Sequence, residues 1–519
     1  MFNPYGFGYP RSMLTRDTTR TGALSSTCLF AACLALVAGC NDILGIGEPV
    51  PAGDTATTLG GGGTGGGGTG GTVPTGGAGG GPVFTCDPAE KADPEGVFVS
   101  KLVGSASGDG SPTSPYDTLI QGLAEAEAQG KTKVYVAPGT YEGAASVPAG
   151  MTIEGGWLLQ ADGTWARDCG EGVIDKVRIT APADAPAVVT ADKPGSPVLL
   201  RYLSVHTADS ALPAGADAPG RSLVGVLVTG GAELTLDRAL VVAGDGSSGG
   251  VATPGMAGAA AAANCTLGNN QCSNLAVGTP GPDGPPGDTG PEAMSGVFSD
   301  AGAFTPGDGS AGVSGQKGAA GGKGGAASCL TAPGHAGCIT GCSPQCTPYY
   351  GNDPVCSTAG KCGCGGEGGT GGLAGRGGGA SVALLVAGAG SRATVTASRL
   401  ETGKGGDGSD GGAGGPGGKG SNGVAGQDSG YCIQESCKWD GSSCQVDQVV
   451  NTAQGGAKGG TGGTGGPGGA GSRGAGGPSL AVAVVAGATV DVSPDCALLP
   501  GSGGAGLPAG ESAEIFQPR

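Results

Sequence analysis

The chain is poor in the residues that most catalytic and nucleic-acid-binding sites need. Aromatic residues make up 4% of its 519 positions, histidine occurs twice, and 26 Lys and Arg stand against 43 Asp and Glu. Nucleic-acid binding needs clustered basic residues, and no such cluster is present. The shortage of histidine leaves little material for imidazole catalysis or a His-rich metal site. The composition therefore argues against nucleic acid as a partner.

Long apolar runs are also scarce, and the one near the N-terminus predicts export. Arg11, Arg16 and Arg20 precede an apolar stretch at 24–39, which suits a signal peptide and is short for a bilayer span of about 20 residues. It ends in Val-Ala-Gly-Cys at Cys40, which resembles the bacterial lipobox. We expect a lipoprotein signal peptide at 1–39, a diacylglycerol on Cys40 and a membrane-anchored protein of the bacterial outer membrane or cell surface. An ordinary signal peptide with a chance cysteine is the alternative.

Glycine is what the chain has in excess, with 118 residues, and much of it recurs at every third position. This period fits neither the α-helix nor the pleated strand but matches polyproline II geometry, in which glycine allows close approach of the backbones. Three interpretations stay open: an intramolecular bundle of polyglycine II helices, a disordered coil, or a collagen-like trimer. The segments that keep the period are 244–261, 278–290, 309–324, 363–378, 405–426 and 459–477.

Fifteen of the 18 cysteines follow Cys40, and in an exported protein they predict disulfides. Most lie at or near the turns between glycine runs, where a bridge would offset the entropy of ordering glycine. Cys86 and Cys169 could form a separate bridge, which leaves Cys496 as the odd cysteine. The spacings lack a C-x2-C pair, so no metal is expected. The disulfide candidates are Cys86, Cys169, Cys265, Cys272, Cys329, Cys338, Cys342, Cys346, Cys356, Cys362, Cys364, Cys432, Cys437 and Cys444.

Short β-rich runs separated by turn residues predict strands through the first half of the folded part. One helix is expected at 115–129, with Gly130 ending it, and a turn is expected at 137–141. The predicted strands are 96–100, 133–136, 151–154, 173–179, 187–190, 198–205, 223–228 and 234–242.

The segment VFVS…GDGSPTSPYDTLIQGLAEA…GKTKVYVAPGTYEG…VPAGMTIEGGW, within about residues 94–170, resembles a known family. It is similar to the N-terminal cap and first coils of right-handed parallel β-helix proteins with the pectate-lyase-like fold, many of them uncharacterised bacterial surface proteins. The resemblance implies an all-β solenoid of short strands whose first rung is covered by a helix.

A later internal repeat extends this organisation. Residues 222–246, 381–408 and 479–506 each read as an apolar strand, a turn, an alternating strand and a short apolar step before glycine, and we interpret each as one rung. The expected parts are a flexible tether at 40–82, a capped β-helix at 83–246, an insertion at 247–378, a rung at 379–404, an insertion at 405–477, and a last rung and tail at 478–519.

Few residues are candidates for catalysis or ligand binding. Polysaccharide-cleaving β-helix proteins carry carboxylates with Arg or Lys on one strand face, often with Ca²⁺. The charged candidates here are expected to be scattered on solvated strand faces, and Trp157 and Trp165 to fill the cap. His206 is expected at a rung edge, and His335 in a Cys-rich loop. The candidates are Glu154, Asp168, Asp175, Lys176, Arg178, Arg201, Asp209, Asp237 and Arg238.

These observations favour a non-enzymatic, lipid-anchored envelope protein with a structural, adhesive or surface-binding role and no cofactor. Envelope or extracellular polysaccharide is the expected partner besides the membrane. The alternative is a carbohydrate-active or polysaccharide-binding β-helix protein, for which Ca²⁺ would be relevant. The sequence leaves the ligand, the disulfide pairing and the oligomeric state open.

Overall fold

The computed structural model describes residues 90–263, 278–330, 355–439 and 444–518. The chain divides into two units, Met1–Ala78 and Gly79–Arg519, and the first lies outside the described residues. The side chains of 430–451 lie outside them too. Predictions for Cys40, Cys86, Cys265, Cys272, Cys338, Cys342, Cys346 and His335 therefore fall outside the described residues, as do those for the side chains of Cys432, Cys437 and Cys444.

Short strands make up most of the regular structure. There are two helices among the described residues, α1 (Leu119–Gln129) and α2 (Val173–Lys176). In chain order the strands are β1 Val97–Val99, β2 Lys133–Val136, β3 Gly139–Glu142, β4 Ala145–Ser146, β5 Thr152–Glu154, β6 Trp157–Leu159, β7 Trp165–Arg167, β8 Val177–Thr180, β9 Val189–Ala191, β10 Val198–Arg201, β11 Ser204–His206, β12 Leu223–Val228, β13 Glu233–Asp237, β14 Leu240–Ala243, β15 Val297–Phe298, β16 Phe304–Thr305, β17 Cys329–Leu330, β18 Val355–Cys356, β19 Ser381–Ala387, β20 Arg392–Thr396, β21 Arg399–Thr402, β22 Ser429–Trp439, β23 Cys444–Ala453, β24 Ser479–Val485, β25 Thr489–Val492, β26 Ala497–Leu499 and β27 Ser512–Phe516.

The chain adds strands to three parallel sheets in turn. Sheet 1 has the order β1-β2-β5-β10-β13-β20-β25, sheet 2 the order β3-β8-β11-β14-β21-β26, and sheet 3 the order β4-β9-β12-β19-β24-β27. Each turn of the chain adds one strand to sheet 1, then one to sheet 2, then one to sheet 3, as β10, β11 and β12 do. The protein is thus mainly β, and its parallel sheets are consistent with a parallel β-helix-like fold.

The core lies between the sheets and is built from columns of residues in register. Ile153, Leu200, Leu236 and Val395 pair successively across β5, β10, β13 and β20, and each is fully buried. Because side chains alternate between the two faces of a strand, every second residue points into this column. Complete burial of such a side chain contributes about 1.5–3 kcal/mol to stability.

Helix α1 covers the first strands. Thr118 caps it by accepting a hydrogen bond from Gln121 N, and Gly130 ends it with φ at 65°. Leu119, Leu123 and Ala126 are buried in the same cluster as the apolar residues of β1 and β2. The predicted end of the helix is confirmed, whereas its start lies at 119 because Tyr116 pairs with β1 through Val99.

Two predicted long strands are each two strands in different sheets. Tyr202 separates β10 from β11, and Arg238 separates β13 from β14, with φ values of 54° and 52°. A left-handed residue turns the chain out of one sheet and into the next. Two further predictions are wrong: part of the expected turn at 137–141 is β3, and the expected strand at 173–179 begins as α2 before β8.

The glycine-rich segments leave the sheets between a strand of sheet 2 and a strand of sheet 3. The first departure follows β14, the second follows β21, and the chain returns at β19 and β24. The segments are bonded to one another once per triplet, as when Gly366 N donates to Gly463 O at 3.0 Å and Gly369 N to Gly466 O at 2.9 Å. The described part of this region is therefore an intramolecular hydrogen-bonded network.

The bonding pattern is that of two rows of three segments. Segments 363–378 and 459–477 each bond to four of the other five, 309–324 and 405–426 to three, and 249–261 and 278–290 to two. Segment 405–426 gains a further neighbour in 502–505. The three segments with the most neighbours carry two glycines in most triplets, and the others mostly carry one.

A hairpin of the first insertion returns to the outer face of sheet 3. It is formed by β15 and β16, and the rings of Phe298 and Phe304 lie 4.9 Å apart. Both rings pack against an apolar cluster that includes Val382 and Leu385 of β19. Strands β19 and β24 are consequently buried at every position, on both faces of the sheet.

Candidate functional site

Four of the nine charged candidates lie together, so the prediction that they are scattered is wrong for them. Glu154, Arg201 and Asp237 hold the same register position in β5, β10 and β13. Residues in register on adjacent parallel strands stack on one face of the sheet. Arg238 follows Asp237 directly, and Arg167 reaches the group from β7. We call these five residues the charge ladder.

The charge ladder alternates in sign. Arg201 Nη1 lies 3.2 Å from Glu154 Oε1, and Arg201 Nε lies 2.9 Å from Asp237 Oδ2. Arg238 Nη1 is 2.9 Å from the same Asp237 oxygen. Arg167 donates to Glu154, and its Nε lies 3.1 Å from Glu90 Oε2. Each carboxylate of the ladder is thus held by two arginines.

Tyr202 stands at the centre of the arginines. The guanidinium carbons of Arg167, Arg201 and Arg238 lie 4.7, 4.8 and 5.5 Å from its ring centroid. Arg167 also lies 4.0 Å from the ring of Trp157. Cations over aromatic faces at these distances are attracted by the ring quadrupole, and the effect grows when both groups are buried.

The electrostatics of the ladder are those of a structural ion network. Three carboxylates, including that of Glu90, face three guanidinium groups, so the formal charges cancel. Burial acts against the charge on Arg201, but Glu154, Tyr202 and Asp237 outweigh it and raise its pKa. A general acid or base needs a carboxylate that exchanges protons with a substrate. Here both ladder carboxylates are committed to arginines.

Three of the five remaining candidates lie in two separate side-chain pairs, one of which includes His206. Lys176 Nζ lies 2.7 Å from Asp168 Oδ2. Burial opposes ionisation of Asp168, but the hydrogen bonds from Lys176 and Gly170 N lower its pKa. Asp175 lies in α2, and the carbonyl of Asp209 accepts from Asp245 N at 2.8 Å.

The second pair joins Arg178 to His206. The Arg178 Nη2 atom lies 2.9 Å from His206 Nδ1, across β8 and β11. Burial first, and the charge of Arg178 second, lower the His206 pKa to about 4. The imidazole is therefore neutral near pH 7. It ends β11, so its predicted place at a rung edge is confirmed.

The aromatic residues of the first turns are buried. Trp157 and Trp165 join Phe98 and Tyr135 in one cluster, and Trp165 Nε1 donates to Pro112 O at 2.9 Å. Both indoles are at most 3% exposed. Rings this deeply buried cannot stack on a sugar, but their cluster is separate from the one that contains the buried residues of α1.

The described cysteines include disulfide-bonded residues and a free thiol. Cys329 and Cys356 form a disulfide that joins β17 to β18. Cys169 and Cys364 are also disulfide-bonded. Cys496 is a free thiol, as expected for the odd cysteine, and its Sγ lies 3.3 Å from Val395 O.

No metal centre emerges from the described part of the chain. No group of three His, Cys, Asp or Glu there could hold a metal ion. A depression between α1 and β4, lined by Ile120, Leu123 and Pro148 among others, has a volume of about 240 Å³. Small-molecule sites usually measure about 300–1,000 Å³. Neither helix described here is long enough to cross a membrane.

Comparison with known proteins gives little. No protein-family model matches the chain, and no curated protein does. The crystal structure of Escherichia coli ybhc is similar in part, with a TM-score of 0.17 and 17% sequence identity over 31% of this chain and 53% of that one. The match spans about half the length of that structure, and a similarity this small defines neither a family nor a function.

The sequence did not single out Arg167 of the charge ladder, nor Tyr202 and Glu90, which contact the ladder. Glu90 and Arg167 are 77 positions apart, and no local pattern joins them. A signal for Tyr202 did exist. It follows the strand residue that pairs with Asp237, so aligning the rungs places Tyr202 beside Arg238 at the same corner.

Proposed function

We propose that this chain is a lipid-anchored, non-enzymatic protein of the bacterial cell envelope with a structural, adhesive or surface-binding role. In this proposal Cys40 carries the lipid and 40–82 is the tether. The body is a right-handed parallel β-helix, and the glycine-rich insertions form a polyglycine II bundle reinforced by disulfides. Envelope or extracellular polysaccharide is the proposed partner.

One observation carries the proposal. The charged residues of the sheet 1 face that resemble a catalytic set are paired with one another, and Arg201 lies between the two carboxylates, Glu154 and Asp237. A sugar-cleaving pair needs its carboxylates free to face a substrate. The ladder instead links three successive strands, which supports a role in holding the body rigid.

The glycine network supports the same role. Ordering glycine costs more conformational entropy than ordering any other residue. Described glycine segments are nevertheless bonded to each other at regular intervals. The Cys329–Cys356 disulfide lies between two of them in the sequence, and the disulfide-bonded Cys364 lies within 363–378. A rigid extension would suit a protein that presents a surface away from the membrane.

Lipidation is tested by fractionating cells that express Cys40→Ser. We expect the wild-type protein in the membrane fraction and the variant in the soluble fraction. Cys33→Ser, in the same apolar stretch, is the matched control and is expected to stay with the membrane. A Cys40→Ser protein that remains in the membrane would contradict the lipid anchor.

The carbohydrate-active alternative is tested by incubating the protein with acidic polysaccharides with and without Ca²⁺. We expect no cleavage. Cleavage that needs Ca²⁺ and is lost in Asp237→Ala, but kept in Glu142→Ala, would replace the proposed role with the alternative one.

A further inference from the structure

The two ends of the strand stack differ. Helix α1 covers the first end. At the other end, β25, β26 and β27 are each paired on one side only. Val490, Val492 and Leu498 there are partly exposed, whereas their register partners Ala393, Val395 and Leu400 are fully buried. Within the described residues the core is therefore incompletely covered at its last rung.

Strand β25 is the edge strand at the end of sheet 1. Val490 and Val492 point towards the core, because they continue the columns of Ala393 and Val395. Thr489 and Asp491 are exposed on the other face. Among the residues that the structure describes, no strand pairs with the backbone groups of β25 that point away from β20. An added strand would place alternate apolar residues over the two valines and its other residues beside Asp491.

Charge indicates what kind of strand fits. Among the described residues from 474 to 518, every charged residue is acidic, and all four are exposed: Asp491, Asp495, Glu511 and Glu514. A second copy of this chain would bring the same four carboxylates to the contact, and like charges in close apposition cost several kcal/mol in general. A basic partner meets no such repulsion from these four residues.

We propose that the free edge of β25 is a docking site for an extended segment of another protein, in which apolar residues alternate with Lys or Arg. The segment adds to sheet 1 as a further strand. Its apolar residues cover Val490 and Val492, and its cations lie beside Asp491. This proposal concerns the end of the strand stack and holds whether or not Cys40 is lipidated.

The thiol of Cys496 provides a readout at this end. Cys496 packs against the same core cluster as Val490 and Val492 and is partly exposed. A strand laid over the two valines would shield it. The rate at which a thiol reagent modifies Cys496, followed by peptide mass spectrometry on the full oxidised chain, therefore reports occupancy of the site.

The probe is a short synthetic peptide of alternating lysine and valine. At saturation we expect it to slow modification of Cys496 by about tenfold, since its binding combines backbone pairing with charge attraction. A peptide with glutamate in place of lysine should give no protection. A lysine–valine peptide with a central proline should also fail, because proline removes a ladder hydrogen bond.

Variants separate docking from general attraction to an acidic protein. Asp491→Lys should abolish protection, and Asp491→Asn should weaken it. Glu142→Lys, an equally exposed change on sheet 2, should leave it intact. The proposal is overturned if the lysine–valine peptide does not protect Cys496 of the wild-type protein. It is also overturned if the proline peptide protects the wild-type protein equally well, or if the lysine–valine peptide protects Asp491→Lys equally well. Protection that grows with protein concentration alone would assign the edge to a second copy instead.

Discussion

The strand stack and the glycine network both pair their backbone N–H and C=O groups, but they fill the space between backbones by opposite means. In the stack, Leu384 is fully buried, and side chains fill the space between sheets. In the network, a Cβ placed on Gly465 would lie 1.9 Å from Glu367 O, so the absence of side chains lets the backbones meet. Adding atoms should therefore damage one region, and removing them should damage the other.

The largest expected effect comes from removing atoms in the stack. Leu384→Ala leaves a cavity beside residues that cannot collapse, because β19 is covered on both faces. We expect a loss of about 3.5 kcal/mol in the free energy of unfolding, measured by denaturant titration. Leu373→Ala, on an exposed position of a glycine segment, is the control and should change little. Equal losses in both would contradict the distinction.

The second prediction adds atoms to the network. Gly465→Ala forces a Cβ against the backbone of Glu367, and neither segment can move without breaking bonds to its other neighbours. We expect a loss of about 3 kcal/mol, at the upper end for overpacking. Hydrogen exchange should show the loss within 455–477. Thr464→Ala, one position away and exposed, should stay close to wild type.

The charge ladder tests whether ions support the stack as its apolar columns do. In Glu154→Gln, Arg167 keeps Glu90 and Arg201 keeps Asp237, so the network is weakened and not dismantled. We expect a loss of about 2 kcal/mol, less than for a buried pair left wholly uncompensated. A double-mutant cycle with Arg201→Met measures the coupling. Additive effects would show that the ladder contributes nothing beyond its separate residues.

Acidification should affect the stack through His206. Its folded pKa of about 4 lies below the ordinary histidine pKa of 6.5, so the unfolded chain binds the proton first as the pH falls. Stability is therefore unaffected by this group above pH 6.5 and is lost between the two values. Because the ring is partly exposed, we expect a loss of about 1 kcal/mol. His206→Asn should flatten this part of the pH profile, and an unchanged profile would exclude His206 as its source.

The smallest expected effect is a glycine substitution that stabilises the protein instead of destabilising it. Ala397 has a φ of 45°, at the corner between β20 and β21. Glycine relieves the left-handed strain but adds freedom to the unfolded chain, so Ala397→Gly should stabilise the protein by about 0.5 kcal/mol. Thermal unfolding would detect the shift, with Ala393→Gly as a destabilising control inside β20. A loss at both positions would show that the corner is unstrained.

Local patterns predicted much of this architecture. The strands Lys133–Val136 and Leu223–Val228 and the end of α1 are as expected, because alternation, β-branched residues and a terminal glycine act over a few positions. The corners at Tyr202 and Arg238 were missed, since bulky residues rarely adopt positive φ. The charge ladder was missed because it depends on the register of strands that are tens of residues apart.

In the glycine region, the number of glycines in each triplet contains information that the three-residue period alone does not. The number of glycines per triplet follows the number of neighbours: two in most triplets at 363–378 and 459–477, one at 278–290. A segment enclosed on several sides has room for one side chain in three, whereas an outer one has room for two. Which segments adjoin one another still required the structure, because the triplets are nearly identical.

The outer segment 278–290 also limits how far such an array can grow. Pro280, Pro282, Pro285 and Pro286 have no N–H to offer a further chain on that flank. A flank of glycine triplets without proline would offer such N–H groups to a second copy. Proline at this margin therefore disfavours backbone pairing between two copies along this flank.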